Sequence, residues 1–151
     1  MHQHQQVRVY NPLLGATIEV DEGLANLLQG LWVLGIRTEN SCQENRPGVM
    51  WIEFPCEDAA RFLNLVAAGR DRDRELYDRM MEFSGADNWT YRVLPSDRAL
   101  RRDEDSGRDL FEGASEIVLD ISVRFPVADY DQIVQRLEAA VHKQREGRST
   151  G

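Results

Sequence analysis

Hydrophobic residues in this chain follow two rhythms. From Leu24 they recur as Leu24, Leu27, Leu28, Leu31 and Leu34, the three- and four-residue spacing of one helix face. Asp21 and Glu22 stand at its predicted start and Gly35 at its end. Ala59, Phe62, Leu63 and Val66 repeat that rhythm in a predicted helix over Glu57–Ala68, as do Tyr130, Ile133, Val134, Leu137 and Val141 over Ala128–Lys143. Leu76, Tyr77, Met80 and Met81 give a narrower stripe on a connecting helix over residues 70–84, which opens with the charge run Arg70-Asp71-Arg72-Asp73-Arg74.

The second rhythm has period two, as in a half-buried strand. Ile117, Leu119, Ile121, Val123 and Phe125 alternate with Val118, Asp120, Ser122 and Arg124 across a predicted strand over Glu116–Phe125. Met50, Ile52 and Phe54 alternate with Val49, Trp51 and Glu53 over Val49–Phe54. Further strands are expected at Val7–Tyr10, Ala16–Val20, Ile36–Cys42 and Trp89–Leu94. Pro95–Gly113, rich in Asp, Arg, Ser and Gly, reads as a mobile loop, and Glu146–Gly151 as a frayed tail.

One unit occurs twice. Phe54, Pro55 and Asp58 match Phe125, Pro126 and Asp129 at an offset of 71 residues, and each set joins a strand to an amphipathic helix. Pro suits a helix start, and Asp in the first turn suits its free N–H groups and positive dipole end. The order β-α-β-β-α-β plus a further strand and helix predicts an α+β, ferredoxin-like sandwich with helices on one sheet face. Two β-β-α units describe the same chain as an internal duplication.

Composition narrows the function classes. At 151 residues and 42% apolar content, a single domain over 1–151 is expected. The formal net charge of −8 argues against generic nucleic-acid binding, while leaving room for a local basic pocket. The longest apolar run is far short of the roughly 20 residues of a membrane span, and the Met-His-Gln-His-Gln-Gln start has no apolar signal core. A hairpin turning near Arg46-Pro47 puts Cys42 opposite Trp51 and Cys56 opposite about Arg37, some 16 Å away at roughly 3.3 Å per residue. Two free thiols and a reducing cytoplasm follow.

Candidate chemistry is sparse. Glu39, Ser41, Cys42, Gln43, Asn45 and Arg46 form the densest polar cluster, a candidate small-molecule pocket at a strand end. Cys42 lacks a base in this reading, because His2 and His4 read as solvated tail residues and His142 lies near the other terminus. No C-x-x-C, H-x-x-x-H or Gly-rich phosphate loop occurs, so no metal and no cofactor are expected. Trp51, Glu53, Val118, Asp120 and Arg124 are expected on the helix-free sheet face, as the contact of a homodimer. The chain therefore reads as a non-enzymatic binding or interaction module with a small-molecule or protein partner. A nucleotide- or RNA-directed enzyme using Ser41 and Cys42 is the alternative.

The run Gly35-Ile36-Arg37-Thr38, then Ser41-Cys42-Gln43, Trp51-Ile52-Glu53-Phe54-Pro55 and Asp58-Ala59, with the later Ser122-Val123-Arg124-Phe125-Pro126, resembles a group of uncharacterised small proteins of actinobacteria and their phages. The resemblance covers residues 20–66 and 117–137 and implies no activity. The Ser-Cys pair is also similar to the wybutosine-synthesis tRNA methyltransferase family, where a Ser-Gly-Arg-like continuation is expected; Gln43-Glu44-Asn45 follows here.

Overall fold

A computed structural model describes residues 4–68, 74–81, 88–96 and 118–149, the side chains of 44–46 and 148–149 excepted. It shows an α+β protein. Strands β1 (Gln6–Asn11) and β2 (Ala16–Asp21) pair with each other as an antiparallel hairpin. A short 3-10 turn over Glu22–Leu24 leads into α1 (Ala25–Val33). Then come β3 (Asn40–Arg46), β4 (Val49–Pro55), α2 (Cys56–Ala67), α3 (Arg74–Met81), β5 (Thr90–Pro95), β6 (Leu119–Pro126) and α4 (Tyr130–Ser149). The second sheet is antiparallel throughout, in the order β3-β4-β6-β5.

Several expectations change. The strand at residues 16–20 does not enter the four-stranded sheet; it pairs only within its own hairpin. Residues 36–38 are irregular, because Ile36 is tucked into the core while Gly35, at φ +79°, turns the chain out of α1. Asp21 makes no side-chain cap on a helix; its carboxylate accepts the backbone N–H of Gln43 instead. The last helix continues to Ser149, past the fraying expected from Glu146. Most of the expected loop, residues 97–113, lies outside the described residues, as do the charged run at 70–73 and residues 150–151 of the tail.

The duplicated unit is visible in the strand register. Ile52 pairs with Val123, its own counterpart at the 71-residue offset. Trp51 and Glu53 then lie opposite Arg124 and Ser122, the counterparts of Glu53 and Trp51. The two β-β-α units are thus related by a pseudo-two-fold axis between Ile52 and Val123, with β4 and β6 central and β3 and β5 outermost. The core lies between this sheet and α1, α2 and α4: Leu24, Leu27, Leu28, Leu31, Met50, Ile52, Phe62, Val66, Ile133 and Leu137 are all buried. Phe54, Phe62, Trp89 and Phe125 stack in sequence at centroid spacings of 4.9, 6.2 and 5.2 Å, a chain of rings from one unit to the other.

Each motif aspartate is buried, at 4% exposure for Asp58 and 2% for Asp129. Neither caps its own helix through its side chain. Asp58 accepts the backbone N–H of Arg37 at 2.8 Å and that residue's guanidinium at 3.2–3.3 Å. Asp129 accepts Arg79 Nη2 at 2.5 Å, Arg79 Nε at 3.2 Å and the Trp89 indole N–H at 2.9 Å. The repeated aspartate therefore ties its unit to the segment preceding that unit's outer strand.

Candidate functional site

Side chains alternate across a strand, and here that divides the expected polar cluster. Ser41 pairs with Ile52 and shares the helix-side face, whereas Cys42 pairs with Trp51 on the other. The two residues do not line one pocket, which removes the geometry of the proposed Ser41/Cys42 site. Gln43 is structural: its side-chain carbonyl accepts the Gly23 N–H at 2.8 Å, while its own N–H goes to Asp21. A Cβ at Gly23 would fall 2.3–2.7 Å from the Gln43 side chain, so glycine lets the turn approach β3. Glu39 is exposed, and its backbone N–H donates to the carbonyl of Glu53 at 2.7 Å. Asn45 and Arg46 belong to β3, with side chains outside the described part.

The face away from the core helices carries more. One row across the sheet is Cys42, Trp51, Arg124 and Thr90; the next is Asn40, Glu53, Ser122 and Arg92. The Trp51 indole N–H donates to Ser122 Oγ, which also accepts Arg124 Nη1 at 3.2 Å. The Arg124 guanidinium sits 5.8 Å from the Trp51 ring centroid, in cation–π range. Arg92 and Thr90 are exposed beside it, and Glu53 is half-buried. Neither Arg92 nor Arg124 makes an ion pair with a carboxylate among the described residues.

The five residues expected to form an open interface do not lie in one exposed patch. Trp51 and Arg124 engage each other within the chain, Val118 is half-buried, and Asp120 is buried and makes its own interactions. Asp120 cannot meet a second chain's arginine without rearrangement.

Sequence reasoning missed two features. Trp89, just before β5, is a central core ring rather than a strand residue. His4 is no solvated tail residue; it is half-buried and lies near Asp21 and Cys42. A polar Met-His-Gln-His start gives no periodicity from which to infer such docking. Both cysteines are free thiols, Cys42 half-buried and Cys56 exposed at the start of α2. Among the described residues, no helix is long and apolar enough to cross a membrane.

These features define an α+β protein of two β-β-α units, with an N-terminal hairpin at one sheet edge. No family model matches the chain, and no solved structure matches it. The chain is similar to the "Uncharacterized protein R428" of Acanthamoeba polyphaga mimivirus, with 31% identity over 140 residues that span 89% of this chain and 69% of the viral one. It belongs to the family of that protein.

Proposed function

We propose that this chain is a non-enzymatic binding module that takes a small ligand bearing a phosphate or carboxylate on the sheet face away from the core helices, at Arg92, Arg124 and Thr90. The supporting observation is the pair of arginines. They are diagonal neighbours on adjacent strands of an acidic protein, and no carboxylate pairs with them among the described residues. Guanidinium groups bind phosphate and carboxylate through paired N–H donors. Trp51 and Ser122 hold Arg124 in place, which lowers the entropy lost on binding.

A ferredoxin-like sandwich is the fold we propose for the four-stranded part. Two β-β-α units in the order β3-β4-β6-β5 correspond to that fold entered at its second strand, with its first strand following its last. A reducing, cytoplasmic setting is proposed from the two free thiols. We also propose that the chain is related to the actinobacterial and phage proteins that it resembles. A homodimer through this face has less support, because Trp51 and Arg124 already contact each other within one chain.

The test is thermal unfolding and calorimetry of the full chain with inorganic phosphate, pyrophosphate and citrate. The expected result is a saturable rise in Tm with at least one anion, lost in Arg124→Ala and Arg92→Ala. A wild-type protein unmoved by all three at millimolar concentration overturns the proposal.

A further inference from the structure

We infer that His4, Asp21 and Cys42 form a binding site for a zinc ion at the edge of the four-stranded sheet. An imidazole nitrogen, a carboxylate oxygen and the thiol sulfur, one donor from each residue, all lie within 4.8 Å of one another. The three residues come from separate segments: His4 precedes β1, Asp21 ends β2, and Cys42 is in β3. The pairing of β1 with β2 puts Gln6 opposite Asp21, which brings the start of the chain to the end of the hairpin. The Asp21–Gln43 hydrogen bond then holds that end against β3.

The distances fit a tetrahedral ion. Zinc bonds of about 2.0–2.3 Å put neighbouring donors roughly 3.3–3.7 Å apart. The widest separation therefore needs to close by about 1.1–1.5 Å, a movement that side-chain rotation supplies. The donor types also fit, because zinc accepts thiolate, imidazole and carboxylate together, whereas calcium and magnesium prefer oxygen alone. All three residues are half-buried, so the site is sheltered but open to an entering ion. Asp21 has outer support of the kind metal-binding carboxylates use, accepting Gln43 N–H at 2.8 Å and Gln6 Nε2 at 3.4 Å.

A Cys-His-Asp nucleophilic relay has the same composition but a different shape. In a relay the imidazole stands between its partners, with the nucleophile at one nitrogen and the carboxylate at the other. Sulfur and carboxylate oxygen are then on opposite sides of the ring. Here they lie within 4.8 Å of each other, so the three donors converge on a common point. Three protein donors leave a fourth zinc position for water or a ligand atom, and Cys42 borders Trp51 directly across the β3–β4 pair. The inference is independent of the anion-binding proposal, since it uses neither Arg92 nor Arg124.

The full chain, reduced and stripped of metal, is titrated with zinc alone by calorimetry and with cobalt(II) by absorption spectroscopy. One equivalent of zinc should bind with proton release, because the thiol must ionise to coordinate. Cobalt should give an intense thiolate charge-transfer band. Cys42→Ser should abolish that band and weaken zinc binding at least tenfold. His4→Gln should weaken it by a similar factor, with the far-ultraviolet circular dichroism of the metal-free variant matching wild type. His142→Gln, on α4 and paired with Glu146, should bind as wild type. Absence of one-to-one zinc binding, a cobalt complex lacking the thiolate band, or wild-type affinity in both Cys42→Ser and His4→Gln would each overturn the site.

Discussion

The two β-β-α units share a motif and a register, yet they hold their buried aspartates differently. Asp58 draws on a backbone N–H and a guanidinium whose side chain is 54% exposed. Asp129 draws on three N–H groups, from a guanidinium 28% exposed and from the buried indole of Trp89. If Asp58 is lost, water can solvate the Arg37 guanidinium in its place, but water has little access to the Trp89 indole N–H. The carboxylate holds the same place in both units, while its partners differ. The segment before β3 supplies main chain, while α3 and the residue before β5 supply side chains.

The largest effect expected from this contrast is on stability. Asp129→Ala leaves a partly buried cation and a buried indole N–H without their acceptor and should cost about 3–5 kcal/mol. Asp58→Ala should cost less, about 1–3 kcal/mol, because Arg37 remains hydrated. Urea unfolding of the two variants compares them directly. Equal losses, or a larger loss at Asp58, would show that side-chain exposure does not govern the difference.

A second contrast is at the outer strands. β3 is met by the N-terminal hairpin through Asp21, Gly23 and Gln43, whereas β5 is met by α3 through the Tyr91 hydroxyl and the Met80 carbonyl. Gly23→Ala puts a methyl group where the Gln43 carboxamide lies. Gln43 can swing away, but the Gly23 N–H then loses its acceptor, at a cost of about 1–3 kcal/mol. In a Gln43→Ala background the same substitution should be milder by at least about 0.5 kcal/mol, since the clash and the hydrogen bond have both gone. Purely additive losses would mean that Gln43 does not hold the hairpin to β3.

The α+β class, the internal repeat and the Cys42–Trp51 pairing were legible because each leaves a local periodicity or an exact offset. Ile117 to Phe125 alternates, and Phe54-Pro55 recurs at Phe125-Pro126. The role of Asp58 and Asp129 was not legible. An Asp in a helix first turn has a sufficient local explanation as a cap, and its actual partners are 21 to 50 residues distant. The same holds for Asp21, read as a helix cap and found at the end of β2 accepting the Gln43 N–H of β3. The Ser41/Cys42 cluster was counted by nearness in sequence, although strand alternation sends its neighbours to opposite faces. His4 was invisible because its contacts depend on a hairpin folding back, which no pattern in a polar terminus encodes.

The smallest effect expected lies at the outer strand of the second unit and is read through pH. Tyr91 pairs with Val123 as Ser41 pairs with Ile52, so the two residues hold matching places, but only Tyr91 titrates in the alkaline range. Burial pushes its hydroxyl up from 10.0 to about 12, and the protonated hydroxyl donates to Met80 O at 2.8 Å. Between those values the unfolded chain releases this proton while the folded chain keeps it. Stability therefore falls as pH rises through that window, and the contribution is fully present below 10.0. The residue is 43% exposed, so the loss is smaller than for a fully enclosed phenol. Tyr91→Phe should flatten the alkaline decline in the urea midpoint and leave neutral-pH stability lower by the lost hydrogen bond, about 1 kcal/mol. Some slope should persist, because burial also raises Tyr130. An alkaline decline as steep in Tyr91→Phe as in wild type would remove the pH response from the second unit's outer strand.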